Sequence, residues 1–128
     1  MTIKYKATKM AQPGIKGGGQ YKYYPRVCER RKMDLNSLAE RISMKSTLTR
    51  ADVHATLVAL VDEIPDLLLD NYSVQLGELG IFSAHINGES ANTAEELTYR
   101  NIKNLKVVFR PGISIKQGVK NARFTKVD

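Results

Sequence analysis

Apolar and polar residues alternate at the start of the chain, with Ile3, Tyr5 and Ala7 on one side and Lys4, Lys6 and Thr8 on the other, the period of a half-buried strand. A second run of this kind spans Tyr21 to Glu29. Between them, MAQPGIKGGGQ carries Pro13, Gly14 and the glycines at 17 to 19, so residues 3 to 29 are expected to form two strands joined by a long loop. Such a pair needs another surface over its apolar face. Alternation in the second run assigns Tyr21 and Tyr23 to a core and Tyr24 to solvent. At Met33 the period changes to 3.6, with Leu35, Leu38, Ala39 and Ile42 on one face and Asp34 as N-cap, which predicts a short amphipathic helix. A long helix from about 50 to 70 follows. Thr49 and Asp52 have capping-box spacing, Leu48 and Val53 that of a hydrophobic staple, and Val53, Leu57, Leu60, Val61, Ile64, Leu67 and Leu68 form the apolar stripe. Pro65 is expected to bend or break this helix. Beyond Asn71, alternation returns through Val74 and Leu76, a Gly77–Gly80 turn and Ile81 to Ile86, predicting two antiparallel strands. Asn87 to Glu96 is polar and acidic without period, Thr98 to Arg110 is a third strand, and Ile115, Val119 and Ala122 after Pro111-Gly112 suggest a closing helix of about ten residues.

At 128 residues the chain has the size of one ordinary domain, and 42% hydrophobic with 26% charged residues argues against wholesale disorder. No apolar run approaches the ~18 residues of a membrane span, so no membrane partner is expected. The first residues lack a signal-peptide apolar core, and Cys28 is the one cysteine, which together lead us to expect a reducing cytoplasmic setting. The net charge of +7 is unevenly distributed. Residues 1 to 33 carry nine basic side chains against Glu29 alone, residues 34 to 98 three against eleven acids, and residues 99 to 128 eight against Asp128. Two basic segments flanking an acidic middle suit a polyanionic partner.

Val74-Gln75-Leu76 followed by Gly80-Ile81-Phe82, and Phe109-Arg110-Pro111-Gly112 followed by Lys116, stand in an order and spacing that resembles the HU/IHF family of bacterial DNA-bending proteins. The likeness covers residues 34 to 128. An added N-terminal segment opening on a Tyr-Lys pair, here Tyr5-Lys6, is similar to the HU-like proteins of Bacteroidetes. The resemblance implies an α+β HU/IHF-like fold: two N-terminal helices, a three-stranded antiparallel sheet with a β-arm, and a short C-terminal helix. Residues 1–33 would add a basic two-stranded extension to an HU-like domain at 34–128. It further implies a homodimer located on the nucleoid that binds double-stranded DNA through phosphates and shape, with little sequence preference. Lys116 matches a phosphate-contacting position and Arg110 precedes it, whereas Ile113 stands where the family often has a basic residue.

The arm departs from the family. Its expected proline-bearing tip is replaced by Gly88 to Glu96, with Glu89, Glu95 and Glu96, and carboxylates entering a groove would be repelled by phosphates. Arg100, Lys103 and Lys106 on the returning strand remain as a phosphate track, with Lys120 near the chain end. Lys22, Arg26, Arg30, Arg31 and Lys32 are expected to supply the positive charge that the arm has lost. The alternative is an HU-fold structural or protein-interaction module that no longer bends DNA; a weaker one is single-strand or RNA binding through the tyrosine-rich strand.

No catalytic constellation emerges. His54 and His85 lack metal-ligand spacing and form no triad pattern with Cys28 or a serine, and the glycines at 17 to 19 lack the Lys-Ser/Thr pair of a phosphate loop. Neither an enzyme, a cofactor, a metal nor a small-molecule substrate is expected.

Overall fold

The computed structural model describes residues 1–128. Element order is β1 (Ile3–Met10), β2 (Lys22–Val27), α1 (Leu35–Met44), α2 (Arg50–Leu69), β3 (Val74–Gln75), β4 (Gly80–Gly88), β5 (Ile102–Pro111), α3 (Ile113–Gly118) and β6 (Phe124–Lys126), with a 3₁₀ turn at Tyr99–Asn101 before β5. The protein is mixed α+β, with three helices and two three-stranded sheets. It divides into two compact units, Met1–Met33 with Lys120–Asp128, and Asp34–Val119.

In the first unit β1 and β2 pair antiparallel, as their alternation predicts, with Tyr5 opposite Val27 and Met10 opposite Lys22. The sheet has a third strand that the expected two-stranded extension lacked. β6 runs parallel to β1, Ile3 beside Phe124, secured by Ile3 N–H donating to Arg123 O at 2.7 Å and Val127 N–H donating to Tyr5 O at 2.8 Å. This pairing also corrects the closing helix, which is six residues rather than about ten. Gly118 is a poor helix former, and the free edge of β1 offers the following residues a hydrogen-bond ladder in place of further helical turns.

In the second unit the caps fall where the sequence places them. The Asp34 carboxylate accepts from Ser37 N–H at 2.8 Å, and the Thr49 hydroxyl accepts from Asp52 N–H at 3.1 Å. Only the Thr49 half of the expected capping box forms. Bonding to Ser37 holds the Asp34 carboxyl below the usual carboxylate range. Of the bend or break expected at Pro65, the break does not occur: α2 runs from Arg50 to Leu69 as one helix. The carbonyl that loses its partner belongs to Val61, an exposed residue, where water can satisfy it. Along α2, Val53 and Leu68 are buried and Leu57, Leu60, Ile64 and Leu67 half-buried, whereas Val61 lies 61% exposed.

The sheet order is β3-β4-β5, both pairings antiparallel, with Phe82 directly opposite Phe109 and their rings 4.8 Å apart. The strand expected from Thr98 starts at Ile102, because Thr98 caps the 3₁₀ turn: its hydroxyl accepts from Arg100 N–H, and its N–H donates to Asn101 Oδ1 at 3.0 Å. At the junction of β5 and α3, Gly112 N–H donates to Leu79 O at 3.0 Å. A Cβ on Gly112 would stand 2.1 Å from the Glu78 carbonyl oxygen, so only glycine lets α3 start here.

Candidate nucleic-acid interface

Pairing register decides which basic residues share a surface. In the N-terminal unit, Lys6 lies opposite Arg26 and Met10 opposite Lys22, so Lys4, Lys6, Lys22 and Arg26 occupy one face of the sheet. Lys4 is neutralised by Glu29 at 2.6 Å. Lys6 and Arg26 face each other without an acidic partner within 4 Å, a like-charge cross-strand pair that costs stability in the absence of an anion. The Arg26 guanidinium meets only the Met10 sulfur, at 3.2 Å.

The tyrosines correct the alternation reading. Tyr24, expected outside, is half-buried on this basic face between Lys22 and Arg26, whereas Tyr21 and Tyr23, expected as core, are 63% and 69% exposed. Alternation separates two faces and carries no information about which of them is covered. Arg30, Arg31 and Lys32 follow β2 in the irregular, exposed segment leading to α1, and Lys120 lies in the exposed turn after α3.

In the second unit one face of the β4–β5 ribbon carries Ser83, His85, Asn87, Asn104, Lys106 and Arg110 together with the half-buried Ile81 and Val108, and the other carries Phe82, Ala84, Ile86, Leu105, Val107 and Phe109. Ser83 Oγ and His85 Nε2 lie 3.2 Å apart on the first of these faces. Lys106 and Arg110 thus project together, as a phosphate track requires. Lys103 does not belong to their pairing. Gly88 pairs with Ile102 and Asn87 with Asn104, which leaves Lys103 in a β-bulge, its ammonium 3.3 Å from Glu89. Arg100 sits in the 3₁₀ turn with its guanidinium 5.9 Å from the Tyr99 ring, and Lys116 is exposed on α3.

Sequence reasoning missed Lys4 and Lys6 as partners of Lys22 and Arg26. Their alternation against Ile3 and Tyr5 was the available signal, but only the register brings the two strands' charges together. It also left aside Asn104, which period-two counting from Lys106 reaches, and His85 and Asn87, which only the β4–β5 register brings to the same face. No group of three or more His, Cys, Asp or Glu side chains is arranged to hold a metal ion, and no helix is long and apolar enough to cross a membrane.

A helical layer, a short sheet extended into a two-stranded ribbon, and basic side chains gathered on ribbon and sheet faces define an HU-like protein. The chain belongs to the family described as HU domain fused to wHTH, Ig, or glycine-rich motif, whose model matches residues 1–126. Among solved structures it is similar in fold to a candidate DNA-binding protein of Bacteroides vulgatus ATCC 8482, with a TM-score of 0.65 at 12% identity. That likeness covers 99% of this chain and 49% of the other, so the present chain spans about half that protein's length. No curated protein matches the chain in sequence.

Proposed function

We propose that the protein is a dimeric, non-catalytic, nucleoid-associated DNA-binding protein that holds duplex DNA by phosphate contacts and shape, with low sequence specificity. The observation that carries this reading is the sheet face on which Lys6 opposes Arg26, with Lys22 farther along the same face beyond Tyr24 and no acid to balance the three. Phosphates supply the missing counter-charge. Lys106, Arg110 and Lys116 offer a second set of contacts in the HU-like unit, where Arg100 and Lys103 play a smaller part because Lys103 is already paired with Glu89. Arg30, Arg31, Lys32 and Lys120 add diffuse positive charge. Membership of an HU family and the fold shared with a candidate DNA-binding protein support the same reading.

Dimerisation is supported by α2. Val58, Val61 and Leu69 fall at helical spacing on one side of it and are 40%, 61% and 76% exposed, a stripe that a second copy would bury. The test is duplex binding measured over a salt series, with sedimentation at micromolar concentration. Steep salt dependence is expected for the native chain, and a shallower one when Arg30, Arg31 and Lys32 are neutralised. Absence of binding at low salt would favour an HU-fold protein-interaction module, a second reading motivated by the acidic arm end, which has no proline between β4 and β5. The location on the nucleoid follows from DNA binding and stands or falls with it.

A further inference from the structure

Two surfaces have at most a small part in DNA binding, and their chemistry is complementary. The first is the other face of the N-terminal sheet. Ile3, Tyr5, Pro25, Arg26, Val27 and Phe124 line an open groove of about 520 Å³, and Phe124 is 65% exposed. Register places Lys9, opposite Tyr23, and Lys126, beside Tyr5, on this face, neither with an acid within 4 Å. The second is the end of the arm. It is a built structure: Glu89 N–H donates to Asn101 O at 2.7 Å, and Thr98 and Asn101 form a reciprocal capping box. It presents Leu97 and Tyr99, the latter 77% exposed, next to Glu95 and Glu96, which have no cationic partner.

Arg100 lies against Tyr99 and Lys103 pairs with Glu89, which leaves Glu95 and Glu96 as the unpaired charges of the arm end, and their sign is wrong for phosphates and right for Lys9 and Lys126. We propose that the arm end of one copy docks on the N-terminal sheet of a second copy, Leu97 and Tyr99 entering the Ile3–Val27–Phe124 groove while Glu95 and Glu96 meet Lys9 and Lys126. Both patches belong to the same chain but to different places on it, so the contact is heterologous and links copies in series. The arm thereby joins neighbouring molecules instead of wedging between base steps. This contact does not depend on DNA binding.

The test uses the full chain without DNA, carrying a photoreactive benzophenone residue in place of Tyr99, mixed as isotopically light and heavy protein and irradiated. Mass spectrometry is expected to find light-to-heavy crosslinks ending in β1, β2 or β6. Lys9→Glu with Lys126→Glu is expected to lower their yield at least tenfold, and Glu95→Lys with Glu96→Lys on the photoreactive chain to restore it. Crosslinks confined to a single chain, crosslinks ending in other elements, or none at all would each overturn the proposal. Charge reversal without effect would overturn it too. Duplex affinity measured on the same proteins keeps the outcome separate from that of the DNA-binding reading.

Discussion

Replacing Lys6, Lys22 and Arg26 together by glutamine removes the uncompensated cations of the N-terminal sheet face. If each meets one phosphate and one chain of the dimer lays this face on the duplex, the slope of log K against log salt becomes shallower by about 2.7, since each neutralised phosphate contributes about 0.9. Between 50 and 200 mM salt the native chain then loses about 40-fold more affinity than the variant. The assay is fluorescence anisotropy with a labelled duplex over that range, repeated with a scrambled duplex to check that the loss is uniform across sequences. Stability should move the other way. Lys6 and Arg26 repel across the ladder, so removing both leaves the melting temperature unchanged or raised, by an energy on the order of 0.2–1 kcal/mol. Weaker, less salt-sensitive binding by an equally or more stable protein is the signature of charge held for a ligand. An unchanged slope would refute the assignment of this face to DNA, and a lowered melting temperature would refute the repulsion on which the argument rests.

Leu68, buried at the end of α2, and Leu69, 76% exposed beside it, should behave differently. Leu68→Ala is expected to cost about 2–5 kcal/mol in chemical denaturation. Leu69→Ala should weaken self-association in sedimentation by roughly tenfold or more, as expected for about 1.5–3 kcal/mol of lost apolar burial. Gly112→Ala places a methyl against the Glu78 carbonyl, and should shift the β5–α3 junction, seen as altered amide chemical shifts of residues 78–80 and 112–116 and a lower melting temperature. The Asp34 carboxyl is held below its ordinary range by Ser37, so its contribution to α1 is complete above the unfolded carboxyl's pKa and lost as pH falls through the lower folded value. Asp34→Asn keeps a capping side chain but does not titrate, and its stability difference from the native chain should shrink on acidification.

Much of the fold around the candidate site was visible in the chain because it depends on local order. The strand, helix and turn boundaries around Asp34, Thr49, Gly77–Gly80 and Pro111-Gly112 follow from caps and periodicity acting over a few residues, as do the basic segments themselves. The bulge at Lys103 was not visible, because it is a property of two strands in register. That α2 is not broken at Pro65 was not visible for a related reason: the cost of a missing N–H depends on whether the orphaned carbonyl reaches water, which is decided by what covers that side of α2.

By itself, then, the sequence determined most of the α+β elements, whose caps and periods rest on interactions between near neighbours in the chain, and the asymmetry of charge along it. Tertiary structure alone decided three things: that Phe124–Lys126 joins β1 as a third strand, that Lys4 and Lys6 share a face with Lys22 and Arg26, and that Tyr23 is exposed while Tyr24 is half-buried. All three depend on pairing between distant segments. A pattern of period two fixes which residues share a face of a strand, and only its partners fix what that face meets.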